Sequence, residues 1–196
     1  GATLGIPGLT AYHSVFADGS VNGKTILVTG GAGAVGFYAT SLASWGGAKV
    51  LCTISSDQKA KRALLAGAEN VINYKTEDVA ERVDAYTKGK GIDRLITVDF
   101  GGDLPWMTSI MRQNSCISAY ASDSEKMPTL DFFSFMRKNI QIRPFILNSL
   151  PQQVLNNARS GINRWLVEKP NSLRPIAKKF SLEDITKAHE LVESST

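Results

Sequence analysis

Residues 25–36 read TILVTGGAGAVG, an apolar run that passes directly into the spacing Gly31-x-Gly33-x-x-Gly36. A strand that ends at glycines and restarts at once as a helix restricts the fold more than any other feature of the chain. Gly31 is assigned the tight turn. Gly33 leaves the backbone bare, so that a pyrophosphate can approach, and Gly36 lets the following helix lie close to the strand. The helix start then offers unpaired N–H groups and the positive end of its dipole to phosphates. Glycine spacing alone is weak evidence, but the strand before it and the helix after it make this a dinucleotide-binding turn.

Strand-like and helix-like stretches alternate beyond that point. Strands are expected over 25–29, 49–53, 71–73, 94–98, 116–120 and 140–145, and helices over 34–45, 57–66, 78–87, 104–111 and 131–138. Such alternation builds parallel strands joined by right-handed crossovers. Six strands complete a doubly wound α/β sheet, a Rossmann fold in the order 3-2-1-4-5-6, with its ligand crevice at the carboxyl ends beside strand 1. Two flanks complete the expected domain plan: a segment over 1–22 with an amphipathic stretch at 9–16, and helices over 149–196 around a core of 23–148. The last helix is expected to start at Ser181, with its hydroxyl as cap and Asp184 at the capping-box position.

At 196 residues, with 43% hydrophobic and 20% charged residues, the chain suits one globular domain with short flanks. No apolar run is long enough to span a bilayer, which argues against a membrane role, and a cytoplasmic location is expected. Cys52 and Cys116 sit in apolar strand-like runs and read as buried thiols of a reducing compartment. Neither has Cys or His neighbours at metal-ligand spacing, so no metal site is expected. The net charge of +4 comes from scattered Lys and Arg without an aromatic-basic platform, so nucleic acid is not an expected partner.

The end of strand 2 selects the cofactor. An NAD site places Asp or Glu there to bind the ribose 2′-hydroxyl. This chain has Thr53-Ile54-Ser55-Ser56, uncharged and polar, with Lys59 and Arg62 just beyond. Hydroxyls and a lysine favour a 2′-phosphate, hence NADP(H). Asp57 is read as a cap or first-turn residue of the next helix; turned inward, it would favour NAD instead. Tyr74, at the end of strand 3, is either a cover for the 2′-phosphate or a strand-end tyrosine in water. Asp99-Phe100-Gly101-Gly102 and Tyr120-Ala121-Ser122 close strands 4 and 5 and face the crevice near the nicotinamide half. His13 and His189 lack an acid or nucleophile beside them and read as structural. The pair Tyr86 and Lys90 matches a Tyr-x-x-x-Lys catalytic spacing, but it precedes strand 4 and is discarded.

The chain resembles the medium-chain dehydrogenase/reductase superfamily, specifically its zinc-independent quinone oxidoreductases, the zeta-crystallin-like group. The matching pieces are Gly8-Leu9-Thr10-Ala11-Tyr12, the glycine motif, Asp57-Gln58-Lys59, the stretch from Gly67 through Tyr74, and the closing Phe180-Ser181-Leu182-Glu183-Asp184-Ile185 with Ala188-His189-Glu190. The resemblance implies an NADPH-dependent oxidoreductase that transfers hydride to a quinone or another conjugated carbonyl. By position it places Thr10 near the nicotinamide, and Ala34 and Val35 near the pyrophosphate. It places Lys59 and Tyr74 at the 2′-phosphate with Thr53 and Ser55 nearby, and Phe100, Tyr120 and Ala121 along the nicotinamide crevice. Two departures are mild: Asn114-Ser115 stands where the family often has a glycine, though Asn tolerates the left-handed region, and Ala121 replaces a frequent glycine. Family members also carry a barrel-like catalytic domain, which is expected to be missing from this chain. Catalytic residues are therefore not named, and the cofactor domain by itself is expected to be inactive.

Other readings remain open: a non-catalytic NADP-binding or structural module, an enoyl-reductase domain of a larger synthase, or a zinc-dependent alcohol dehydrogenase-like member. A homodimer is expected through edge strand 140–145, with Arg143 and Pro144 as the features that oppose pairing.

Overall fold

Strand β1 (Thr25–Val28) lies in the middle of the sheet, and its burial shows why it is continuously apolar. Ile26 and Val28 join one core cluster, whereas Leu27, pointing the other way, joins a second. The same alternation puts Val50 and Cys52 of β2 (Lys49–Ile54) on the first face and Leu51 on the second. A strand covered on both faces has no polar side to show, as parallel sheets require.

A computed structural model describes residues 3–194 except 174 and 177. The expected flanks 1–22 and 149–196 thus include positions 1, 2, 174, 177, 195 and 196, which lie outside the described residues. The sheet is completed by β3 (Asn70–Asn73), β4 (Ile92–Thr97), β5 (Met111–Ala119) and β6 (Gln141–Pro144). Every adjacent pair is parallel, in the order β3-β2-β1-β4-β5-β6. The expected doubly wound topology is therefore the observed one.

Helices α1 (Gly5–Phe16), α2 (Ala34–Trp45), α3 (Asp57–Leu65) and α7 (Gln152–Glu168) cover the first face; α4 (Val79–Thr87), α5 (Phe100–Ile110) and α6 (Phe132–Lys138) cover the second. Trp165 of α7 is fully buried and meets Tyr38 of α2 edge-on, at 6.1 Å between ring centroids. A 3₁₀ turn at Leu182–Asp184 precedes α8 (Ile185–Glu193). There the Ser181 hydroxyl hydrogen-bonds the Asp184 carboxylate at 2.9 Å instead of capping a backbone N–H, so the expected cap becomes a side-chain pair.

Helix α1 is tied to the sheet by charge. Arg94 of β4 is 1% exposed; its guanidinium donates to the Ser14 carbonyl at 3.0 Å and to Asp18 at 2.6 Å. Asp18 also accepts from Arg143 of β6 and from the Cys116 thiol at 3.3 Å. Both cysteines are buried free thiols. Burial is the main cause that pushes their acidities up, Cys52 to about 12 and Cys116 to about 11.

Within the sheet and its crossover helices, two starts differ from expectation by more than two residues. Helix α5 starts at Phe100, not 104, because Gly101 and Gly102 are helical: a Cβ at Gly101 would lie 2.5 Å from the Glu125 carbonyl oxygen. Close packing, not a turn, requires glycine there. Strand β5 starts at Met111, and the expected turn at Asn114 is an irregularity within it, with Asn114 at φ 59°.

Candidate functional site: a cleft at the carboxyl ends of the strands

The glycine turn is built by a residue that the spacing did not single out. Gly30 takes the positive φ, at 63°, and its N–H donates to the Thr53 hydroxyl of β2 at 3.0 Å. Gly31 does not make the tight turn. Its φ is ordinary, and it is small because a Cβ there would lie 2.5 Å from Cys52 Sγ. Gly33 stands at the N-cap of α2, and a Cβ at Gly36 would fall 2.2 Å from the Gly30 carbonyl oxygen. The helix start therefore presses directly on the turn. No side chain caps α2 and no acid lies in its first turn. The N–H groups of Ala34, Val35 and Gly36 are left with the dipole to receive an anion.

These residues border a cleft of about 640 Å³. From β2 it receives Thr53 and, just beyond the strand, Ser55; from α3 it receives Lys59 and Arg62; Tyr74 enters past the end of β3. Lys59 Nζ donates to the Ser55 hydroxyl at 3.1 Å. Thr53 works indirectly, since its hydroxyl already accepts from Gly30. Ser56 does not line the cleft: it is the N-cap of α3 and accepts from the Lys59 N–H at 3.4 Å. Asp57 is the first residue of that helix, exposed and outside the cleft lining. No carboxylate borders this cleft among the described residues. Tyr74 is 53% exposed, with its ring free to cover a ligand.

Tyr120 joins this cleft to two further spaces. One, of about 260 Å³, is lined by Thr10, Val35, Phe145 and residues that follow it. The other, of about 790 Å³, is lined mainly by apolar groups including Phe100, Ala121, Phe145 and Leu150. Tyr120 is common to all three spaces, with Thr10 lining the smaller and Phe100 and Ala121 the larger. Gly101 does not belong with them; its N–H donates to the Ser122 hydroxyl at 3.0 Å and its α-carbon faces the 122–125 loop. Burial next to Asp103 raises the Tyr120 phenol well above its usual acidity range. Burial likewise pushes Asp103 up to about 6.

The discarded pair is remote from all of this: the Tyr86 hydroxyl donates to Glu69 at 2.6 Å, and neither Tyr86 nor Lys90 lines the cleft. His13 packs edge-on against Phe145 at 4.6 Å, and burial is the first cause of its lowered pKa.

Residues 34–161 match the family model described as zinc-binding dehydrogenase. The chain belongs to that family. Zinc-binding dehydrogenase relatives include human quinone oxidoreductase, 35% identical over 97 residues that cover 49% of this chain and 30% of the relative. Quinone oxidoreductase 1 of Escherichia coli strain K12 is 27% identical over 203 residues, covering 96% of this chain and 59% of the relative. The chain thus spans less than two thirds of the length of these relatives. Among solved structures, the Escherichia coli quinone oxidoreductase complexed with NADPH superposes with a TM-score of 0.83 at 24% identity, over 98% of this chain and 61% of that one. That similarity is one of fold, a six-stranded parallel sheet.

Against this zinc-binding dehydrogenase frame, the residues missed from the sequence are informative. Gly30 stands beside two other glycines, and nothing in a sequence marks which of them takes the positive φ. Arg62 was not missed: named with Lys59 beyond strand 2, it follows that lysine by a helical spacing and lines the cleft. Val98 and Val192 also border the cleft, Val192 from the distant α8, which no local pattern announces. The described residues contain no group of three or more His, Cys, Asp or Glu side chains placed to hold a metal.

Proposed function

We propose that this chain is the NADP(H)-binding domain of a zinc-independent quinone oxidoreductase that reduces a quinone or another conjugated carbonyl. One observation carries the cofactor reading: the uncapped start of α2 and the Lys59–Ser55 pair border a single cleft with no carboxylate in its lining. A dinucleotide with an additional phosphate meets both sites in that space. The Gly33 and Gly36 positions leave room where a Cβ would intrude on the turn, so the cradle suits a pyrophosphate. The Escherichia coli structure that shares this fold was solved with NADPH, which supports the same reading.

In this reading the cofactor supplies a hydride from its reduced nicotinamide ring. The protein binds and orients. The α2 N–H groups hold the pyrophosphate; Lys59, Ser55 and Tyr74 hold the 2′-phosphate. Thr10, Phe100, Tyr120 and Ala121 wall the nicotinamide end. The neighbouring space of about 790 Å³, lined mainly by apolar groups, suits a flat apolar acceptor. The zinc named in the family description has no matching set of three ligands among the described residues, and no step here is routed through a metal.

Residues 23–148 form the nucleotide-binding core in this proposal, with 1–22 and 149–196 as helical flanks. The catalytic domain of the whole protein supplies the opposite wall of the acceptor site. The whole protein acts in the cytoplasm as a homodimer joined through β6, which forms one edge of the sheet. The test is an assay of the full-length protein with NADPH and a series of quinones and enones. Acceptor-dependent NADPH oxidation is expected; cofactor binding without turnover on any of them would favour a non-catalytic module.

A further inference from the structure

Where β1 and β4 run side by side, the strand order reverses and the cleft opens. Beneath that point lies a carboxylate with no part in the proposed function so far. Asp103, in the first turn of α5, accepts from the Thr97 hydroxyl at 2.6 Å, and the Thr29 hydroxyl in turn donates to the Thr97 hydroxyl at 3.5 Å. Each threonine oxygen in turn accepts a backbone N–H from the exit of β4. Thr97 takes that of Asp99 at 3.0 Å, and Thr29 takes that of Val98 at 3.1 Å. Thr29 and Thr97 are buried, at 4% and 0% exposure. Two N–H groups, two hydroxyls and one carboxylate thus form a chain that fixes the path of residues 97–99.

That path matters because Val98 borders the cofactor cleft, while Gly30, whose carbonyl oxygen lies against α2, follows Thr29 directly. We propose that Asp103 is a positioning residue: it orients the Thr29 and Thr97 hydroxyls and so holds the floor of the crevice on which the nicotinamide half of NADP(H) rests. The proposal rests on the cofactor reading above. An ionised carboxylate accepts the Thr97 proton, which leaves the Thr97 oxygen free for the Thr29 hydroxyl and the Asp99 N–H. An apolar residue there would leave the Thr97 hydroxyl at the end of the chain without an acceptor, and an uncharged amide oxygen accepts more weakly than a carboxylate. The surroundings disfavour the charge, since burial raises the carboxyl's pKa to about 6. A carboxyl whose charge its surroundings disfavour, beside a ligand cleft, fits a functional role better than a stabilising one.

The experiment compares calorimetric affinities of NADPH and adenosine 2′,5′-bisphosphate, which carries the phosphates but no nicotinamide. It uses wild type, Asp103→Asn, Thr97→Val and Thr97→Ser. Asp103→Asn and Thr97→Val are expected to weaken NADPH about tenfold, the scale of one lost charge-assisted hydrogen bond. Adenosine 2′,5′-bisphosphate should bind all four proteins alike, and Thr97→Ser should restore NADPH binding. A parallel loss of both ligands, or unchanged NADPH affinity in both weakened variants, would overturn the positioning role. Wild type that binds neither ligand would defeat the cofactor reading itself, and the proposal with it.

Discussion

Single residues decide whether the phosphate turn forms at all. The Cβ of Gly36→Ala would meet backbone at 2.2 Å, with no flexible side chain to yield. The variant is expected to lose about 3 kcal/mol by urea denaturation, the scale of an overpacked core site. Lys59→Ala should weaken NADPH about tenfold and leave NADH nearly unchanged, because only the 2′-phosphate uses the ammonium group. Asp103 gives a pH dependence of stability. Its carboxyl goes from an ordinary 3.8 to about 6 on folding, so the folded protein binds that proton more tightly. Its stabilising contribution is complete below the lower value and lost as pH rises through the upper one. Wild type should lose roughly 3 kcal/mol across that window relative to Asp103→Asn, measured by urea unfolding at several pH values. Sequence reasoning found Lys59 because a cation past strand 2 is a local pattern. It missed Asp103 because the two threonines that it orients lie at the ends of strands far apart in sequence.

At the scale of elements, helices and strands with strong periodicity were placed well. Helix α2 occupies the expected 34–45. The errors fall where glycine has two meanings. Gly101 and Gly102 are expected to close strand 4, yet they start α5: the 122–125 loop packs across Gly101, and a Cβ at Gly102 would lie 2.5 Å from the Asp99 carboxylate. The capping box at Ser181 failed for a similar reason: its partner carboxylate captured the hydroxyl before the backbone did. The tie between α1 and the sheet was not legible either, because Arg94 sits in a strand read as apolar. Asp18 neutralises that buried guanidinium. Asp18→Asn should cost about 3 kcal/mol in urea denaturation, the usual loss when a buried ion pair is broken on one side. A stability equal to wild type would mean that the carbonyls of Ser14 and Val15 suffice to hold the charge.

The whole molecule follows from one topological fact, the reversal of strand order beside β1. It gathers the turn from β1, the hydroxyls from β2, the cations from α3 and the aromatic end of β5 around one cleft. Their convergence was predictable once the order of strands was known, and the alternation of apolar runs gave that order. The edge strand β6 presents unpaired backbone groups, as the homodimer proposal requires. Sedimentation of the full-length protein should give twice the chain mass, and a monomer at high concentration would remove the proposal.

The most direct test of the central claim is a calorimetric titration of this chain with NADPH and with NADH under the same conditions. The account predicts tight binding of NADPH and at least about tenfold weaker binding of NADH, the scale set by one charge-assisted phosphate contact. Equal affinity, or a preference for NADH, would contradict the assignment of Lys59, Ser55 and Tyr74 to a 2′-phosphate.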